Sequence, residues 1–195
     1  MRILCFLEDR AHEAFVCTLI RRIAREESVD VRLEVRSARH GARVFSELKR
    51  FLMLLKKSGE PLLPGQDVLL VVADADRDRK KRVDQLRKAV GQELLDVAVF
   101  CIPDPHIEKW YVLDERALED AAGVRLGGMP GSRQRDYKLV LKRTVEETGS
   151  ILGGVEYGGD LAESMNLKLA ESRDANFKEF LKSLRSQLRR AARGV

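Results

Sequence analysis

No apolar run in this chain approaches the length that spans a bilayer, and its first residues lack the basic start and long apolar centre of a secretory leader. Neither a membrane partner nor export is expected. Cysteine is scarce. Cys5, Cys17 and Cys101 stand far apart in apolar segments, and no C-x-x-C pair occurs, which argues against zinc held by thiolates. Reduced, buried thiols in a cytoplasmic protein are the expectation. No G-x-x-x-x-G-K-[ST] phosphate loop is present, so the chain is not itself a P-loop ATPase. A G-x-S-x-G elbow and an H-E-x-x-H helix are also missing, and with them two common hydrolytic designs. No internal repeat or low-complexity tract occurs.

What is there fits one compact unit. The 195 residues, 44% of them hydrophobic, suffice to bury a sizeable core. A formal net charge of +5 with 34% charged residues permits a nucleic-acid partner without demanding one. Much of the positive charge lies at 177–193. There Lys178, Lys182, Arg185 and Arg189 form a stripe, which reads more readily as a solvated helix face than as a phosphate-binding one.

The most informative stretch runs from Val68 to Asp78. Five β-branched or leucine residues and an alanine precede three alternating acids, Asp74, Asp76 and Asp78. Such an apolar run reads as a central parallel strand covered on both faces. Carboxylates this close repel each other unless a cation sits among them, and hard cations such as Mg²⁺ or Mn²⁺ suit carboxylate oxygens. The bland alternative makes the acids a solvated turn, with Asp78 capping a helix that carries Lys80, Lys81 and Arg82. An EF-hand is a poor fit, because Arg79 stands where its glycine belongs and Gln85 where its glutamate belongs.

A second strand, Arg2 to Leu7, ends in Glu8 and Asp9. Ligands of doubly wound sheets bind at the carboxyl edge, where strand order reverses. If these two strands are neighbours, Glu8 faces Asp74 and Asp76 and the three make a cation cup. Glu13 either points into the same crevice from the first helical turn or is a solvated helix acid. His12 reads as a local cap or surface residue.

Strand signals at 2–7, 29–35, 67–73 and 97–102 alternate with helical patterns. The helices run from His12 to Glu27, through Val44, Phe45, Leu48, Phe51, Leu52 and Leu55, and through Val83, Leu86 and Val90 to a break at Gly91. The pattern predicts a four-stranded parallel sheet with helices on both faces over 1–104. An α-helical extension packed on that core is predicted over 105–195. Asp104-Pro105 reads as an N-cap and N1 pair opening a helix. Helices are expected near 115–122, 136–148 and 160–170, separated by glycine-rich loops at 127–132 and 153–159. A long final helix carries Phe177, Phe180, Leu181, Leu184 and Leu188 on one stripe. In Ile107-Glu108-Lys109-Trp110 the apolar residues should face the core, leaving Glu108 on another face.

Leu7-Glu8 and Ala73-Asp74-Ala75-Asp76 resemble the signature of the Toprim domain, the metal-binding fold shared by topoisomerases, bacterial primases and OLD-type nucleases. Asp9 stands where that signature has glycine, and Glu13 is the best match to its second acid. Ile107-Glu108-Lys109-Trp110, a lysine-bearing helix near Lys138 and Asn176-Phe177-Lys178-Glu179-Phe180-Leu181 make the whole chain similar to small stand-alone Toprim-like proteins found near defence and mobile-element genes. The resemblance implies a Rossmann-like sheet and a Mg²⁺- or Mn²⁺-dependent nuclease acting on DNA or RNA. Glu8, Asp74 and Asp76 would hold the metal, with Asp78, Glu13 and Glu108 as further ligands. Lys138 would steady the phosphate, and a separately encoded ATPase is a conceivable partner. The alternative is a non-catalytic module that binds nucleic acid or protein and keeps a vestigial metal site. Receiver and haloacid-dehalogenase folds fit less well. The chain lacks a fifth strand bearing lysine, and its Asp-x-Asp follows the third strand, not the first.

Overall fold

The computed structural model describes residues 1–9, 11–38, 44–57, 67–76, 78–125 and 137–193. The glycine-rich loop expected at 127–132 and the side chain of Leu55 lie outside the described residues. The first half alternates β1 (Arg2–Leu7), α1 (Ala11–Glu26), β2 (Arg32–Ser37), α2 (Val44–Lys57), β3 (Val68–Val72), α3 (Arg79–Val90) and β4 (Ala98–Cys101). Among the described residues six α-helices follow: α4 (Glu108–Tyr111), α5 (Glu115–Ala122), α6 (Tyr137–Thr144), α7 (Gly158–Ser164), α8 (Leu167–Arg173) and α9 (Ala175–Ala192). The four strands are all parallel, in the order β2-β1-β3-β4. This is an α/β, Rossmann-like fold closed by a C-terminal helix.

Strand alternation splits the core in two. Ile3, Cys5, Leu7, Leu70, Val72, Val99 and Cys101 face one side, where α1, α4 and the C-terminal helices cover them. Leu4, Phe6, Leu69 and Val71 face the other side, under α2, α3 and a 3-10 turn at Gln92–Val97. β3 is buried at every position, which is why its sequence is apolar without alternation. The residues after 104 share the first of these cores. Trp110 stacks on Phe180 at 5.7 Å and meets the edge of Phe177 at 5.0 Å, while Phe15 of α1 lies 6.4 Å away. The apolar stripe of α9 is buried throughout. Among the described residues no helix is long and apolar enough to cross a membrane.

Two local expectations fail. Asp104 does not cap a helix. It joins Pro105 through a cis peptide, and α4 starts only at Glu108. The stretch from Pro103 to Ile107 is instead spent on the end of β3: Pro103 and Pro105 accept hydrogen bonds from the N–H groups of Ala75 and Asp76. The helix expected over 160–170 is two helices, α7 and α8, broken where Asn166 caps the second.

Candidate functional site

The order β2-β1-β3-β4 places the reversal between β1 and β3, and their carboxyl ends define the crevice. The ladder outlasts both strands. Glu8 N–H donates to Val72 at 2.9 Å, Ala73 N–H donates to Cys101 at the end of β4, and Ala75 and Asp76 donate to the segment beyond it. Those bonds hold Asp74 in the strand's alternation, two residues beyond Val72 and on the same side. Asp76 then turns the chain with φ 58°, a left-handed conformation uncommon for a residue other than glycine.

Glu8 and Asp74 stand at neighbouring strand ends and touch through the Asp74 backbone. The backbone N–H of Asp74 donates to Oε2 of Glu8 at 2.9 Å. Both side chains are largely buried, whereas Asp76 is exposed. Like charge this close needs compensation, and Arg82, His12 and His106 are the groups set against it. Arg82, from the first turn of α3, reaches Oε1 and Oε2 of Glu8 at 2.8 and 2.9 Å. Its Nε donates to the carbonyl of Asp74 at 2.9 Å, and its head stands 3.7 Å from Asp76. The guanidinium lies 4.7 Å over the ring of Phe45, a cation–π contact from α2. Burial raises the pKa of Glu8, and Arg82 only partly offsets this.

Asp74 is held from several directions. Its Oδ1 accepts the Ile107 N–H at 3.0 Å and faces Nε2 of His12 at 3.0 Å. Its Oδ2 faces Nδ1 of His106 at 3.3 Å. Burial alone would raise the pKa of Asp74, but the two imidazoles outweigh it and hold the carboxyl well below the usual carboxylate range. His12 is 1% exposed, and its other nitrogen lies 2.7 Å from Asp9. With a carboxylate at each nitrogen, both nitrogens carry protons and the ring is an imidazolium. Burial presses its pKa down, but Asp74 and Asp9 hold it up at about 10. The bond to Asp74 raises the pKa of His106 as well.

Glu108 is buried too. Its Oε1 is 4.0 Å from Nζ of Lys138, and its Oε2 has no hydrogen-bond partner among the described residues. Desolvation raises its pKa. The expectation that it would turn away from the core does not hold, because the single turn of α4 leaves it against the crevice beside Trp110. The remaining sequence-predicted residues stand apart. Asp78 caps α3, accepting the Lys81 N–H at 2.9 Å, and is exposed. Glu13 is exposed on α1, and no described contact joins it to Glu8, Asp74 or Asp76. The helical repeat that turns His12 inward turns Glu13 outward. Two other buried acids, Asp114 and Asp174, are helix caps.

Sequence reasoning missed three members of the site. His12 was expected to be a local cap or surface residue, Arg82 entered only as one of the basic residues of a helix that Asp78 would cap, and His106 was given no role. The available signal was positional. His12 follows Glu8 by four residues into a first helical turn, and Arg82 follows Asp78, the cap of α3, by four.

The donor set is one of hard oxygens, the chemistry that Mg²⁺ or Mn²⁺ takes. As arranged, however, the carboxylates are engaged by Arg82, His12 and His106. Among the described residues, no group of three or more His, Cys, Asp or Glu side chains is placed to hold a metal ion. His106 and Lys138, more exposed than Arg82, also stand beside these carboxylates as donors a phosphate could use. Comparison with known proteins adds nothing to this geometry: no family model, no curated protein and no solved structure matches the chain.

Proposed function

We propose that the crevice between β1 and β3 is a Toprim-like centre for metal-dependent hydrolysis of nucleic-acid phosphodiesters, in a state closed by Arg82. The observation that carries this reading is the positive charge drawn to the switch point, where Glu8 holds Arg82, Asp74 holds His12, and Asp76 lies 3.7 Å from Arg82. A divalent ion on these carboxylates would polarise a phosphate and lower the pKa of an attacking water. Glu108 would present its unpartnered oxygen to the same space, and Lys138 and His106 would meet the non-bridging oxygens of the phosphate. The net charge of +5 favours a polyanionic substrate over a small neutral one.

A second reading has its own support. Each inner carboxylate is already compensated by a protein cation, as expected if the metal site is vestigial and the chain binds nucleic acid or a partner, such as a separate ATPase, without cutting.

One experiment separates the two. The protein is incubated with Mn²⁺ and a panel of single- and double-stranded DNA and RNA, alongside Asp76→Asn. Metal-dependent cleavage by the parent that disappears in the variant is the expected outcome, since the exposed Asp76 can lose its charge without disturbing packing. Failure to cleave any substrate, with salt-dependent binding equal in parent and variant, supports the binding module, because lysine and arginine contacts to the backbone need no metal.

A further inference from the structure

The contacts of Arg82 go beyond what compensating one glutamate requires. Its guanidinium spans the two strand ends, bonding Glu8 from β1 and the Asp74 carbonyl beyond β3, and it stands 3.7 Å from Asp76. Glu8 and Asp76 are two of the carboxylates that the proposed ion would take. The side chain is 12% exposed and its face rests on Phe45, so it fills the centre of the crevice. It is also anchored at only one point on the backbone, the first turn of α3, and its head is carried by a flexible stem. We infer that Arg82 is a built-in competitor for the cation: metal and guanidinium occupy the crevice alternately, and binding of the ion requires Arg82 to release Glu8. The inference rests on the metal reading given above and adds its regulation.

The physical argument is one of exclusion. Both oxygens of Glu8 accept from Nη2 of Arg82, and Oε2 also accepts the Asp74 N–H, so the carboxylate is a poor ligand until the charge-assisted contacts to Arg82 break. Two cations at one place would also repel each other in a site with little water to screen them. Release has somewhere to go. The exposed Asp78, the N-cap four residues before Arg82, offers the departing guanidinium a carboxylate at the same end of α3. The affinity of the crevice for metal is thereby set below what its carboxylates would give unaided. A substrate phosphate that draws Arg82 away would raise that affinity, coupling metal loading to substrate.

The test measures metal alone. Free Mn²⁺ is titrated against the protein by electron paramagnetic resonance, for the parent, Arg82→Ala, Arg82→Lys and the Arg82→Ala/Glu8→Gln double variant. Near-ultraviolet circular dichroism checks that each is folded. Arg82→Ala should bind Mn²⁺ at least about tenfold more tightly than the parent, and the double variant should lose that gain. Arg82→Lys, which keeps the charge but cannot span both strand ends, covers the case in which the alanine variant does not fold; it should fall between parent and alanine. Equal binding by parent and variants overturns the competitor role and leaves the metal reading standing. Weaker binding after removal of Arg82 also overturns it, because Arg82 would then be organising the ligands. No binding by any of the four proteins removes the metal reading and this inference together.

Discussion

His12 and Asp74 form a buried ion pair across the switch point, with Nε2 and Oδ1 3.0 Å apart and the imidazole 1% exposed. The pair ties the first turn of α1 to the end of β3, and Asp9 holds the imidazole from the other side at 2.7 Å. Removing one partner of such a pair leaves an uncompensated charge in low dielectric. His12→Ala should therefore cost about 3 kcal/mol, within the range for broken buried pairs. Urea unfolding at pH 7 with a chelator present measures it. A loss under about 1 kcal/mol would mean that water or a side-chain shift replaces the imidazolium.

The same pair sets a pH dependence for the metal-free protein. His12 titrates at about 10 in the fold against an ordinary 6.5, so between these values the native state holds a proton that the unfolded chain has lost. Its contribution is complete below pH 6.5 and disappears as pH rises through 10. Asp74 behaves oppositely: with its folded value lowered, its contribution is present above its ordinary value of 3.8 and lost on acidification. In chelator, urea midpoints should be highest between about pH 4 and 6.5 and decline toward pH 10. His12→Gln should flatten the alkaline decline. An unchanged slope in that variant would place the responsible proton elsewhere.

Divalent metal should raise the melting temperature. An ion that binds only the folded state stabilises it by mass action, about 2.7 kcal/mol at a hundredfold excess over its dissociation constant. Differential scanning fluorimetry with increasing Mn²⁺ should show a rising midpoint for the parent and a flat one for Asp74→Ala/Asp76→Ala. Matching rises in the two proteins would locate the ion outside the crevice.

Gly158 should not tolerate a side chain. It opens α7 with helical φ and ψ, where alanine would ordinarily be preferred. A Cβ there would lie 2.2 Å from the hydroxyl oxygen of Tyr111 and 3.1 Å from Cβ of Phe15. Tyr111 is fully buried and donates to the Val155 carbonyl at 3.0 Å, so it cannot swing aside freely. Gly158→Ala should destabilise by about 1–3 kcal/mol, the cost of overpacking a close-packed core, despite its better helix propensity. Its Mn²⁺ response should persist. A more stable Gly158→Ala protein would show that this packing has room to relax.

The sheet and most of its helices were legible along the chain because they rest on local patterns. Continuous apolar runs mark buried strands, 3.6-residue spacing marks the covering helices, and Gly91 ends α3 where the periodicity stops. The buried stripe of α9 followed from the same logic, whereas Asp78, taken first as a metal ligand with capping as the alternative, is the cap of α3. What only the tertiary structure decided was which charges answer which. Arg82 looks like its exposed neighbours Lys80 and Lys81 until the fold brings its head to Glu8 at the end of β1, because a cation's partner depends on the helix face and on distance through space. His12 and Glu13 are adjacent in sequence, yet one is buried between two carboxylates and the other is exposed. That difference is a rotation of 100° about the α1 axis, fixed by how the helix docks on the sheet. The path from Pro103 to Ile107 was likewise hidden, since two prolines and an aspartate read as a helix start until the unpaired end of β3 claims their carbonyls.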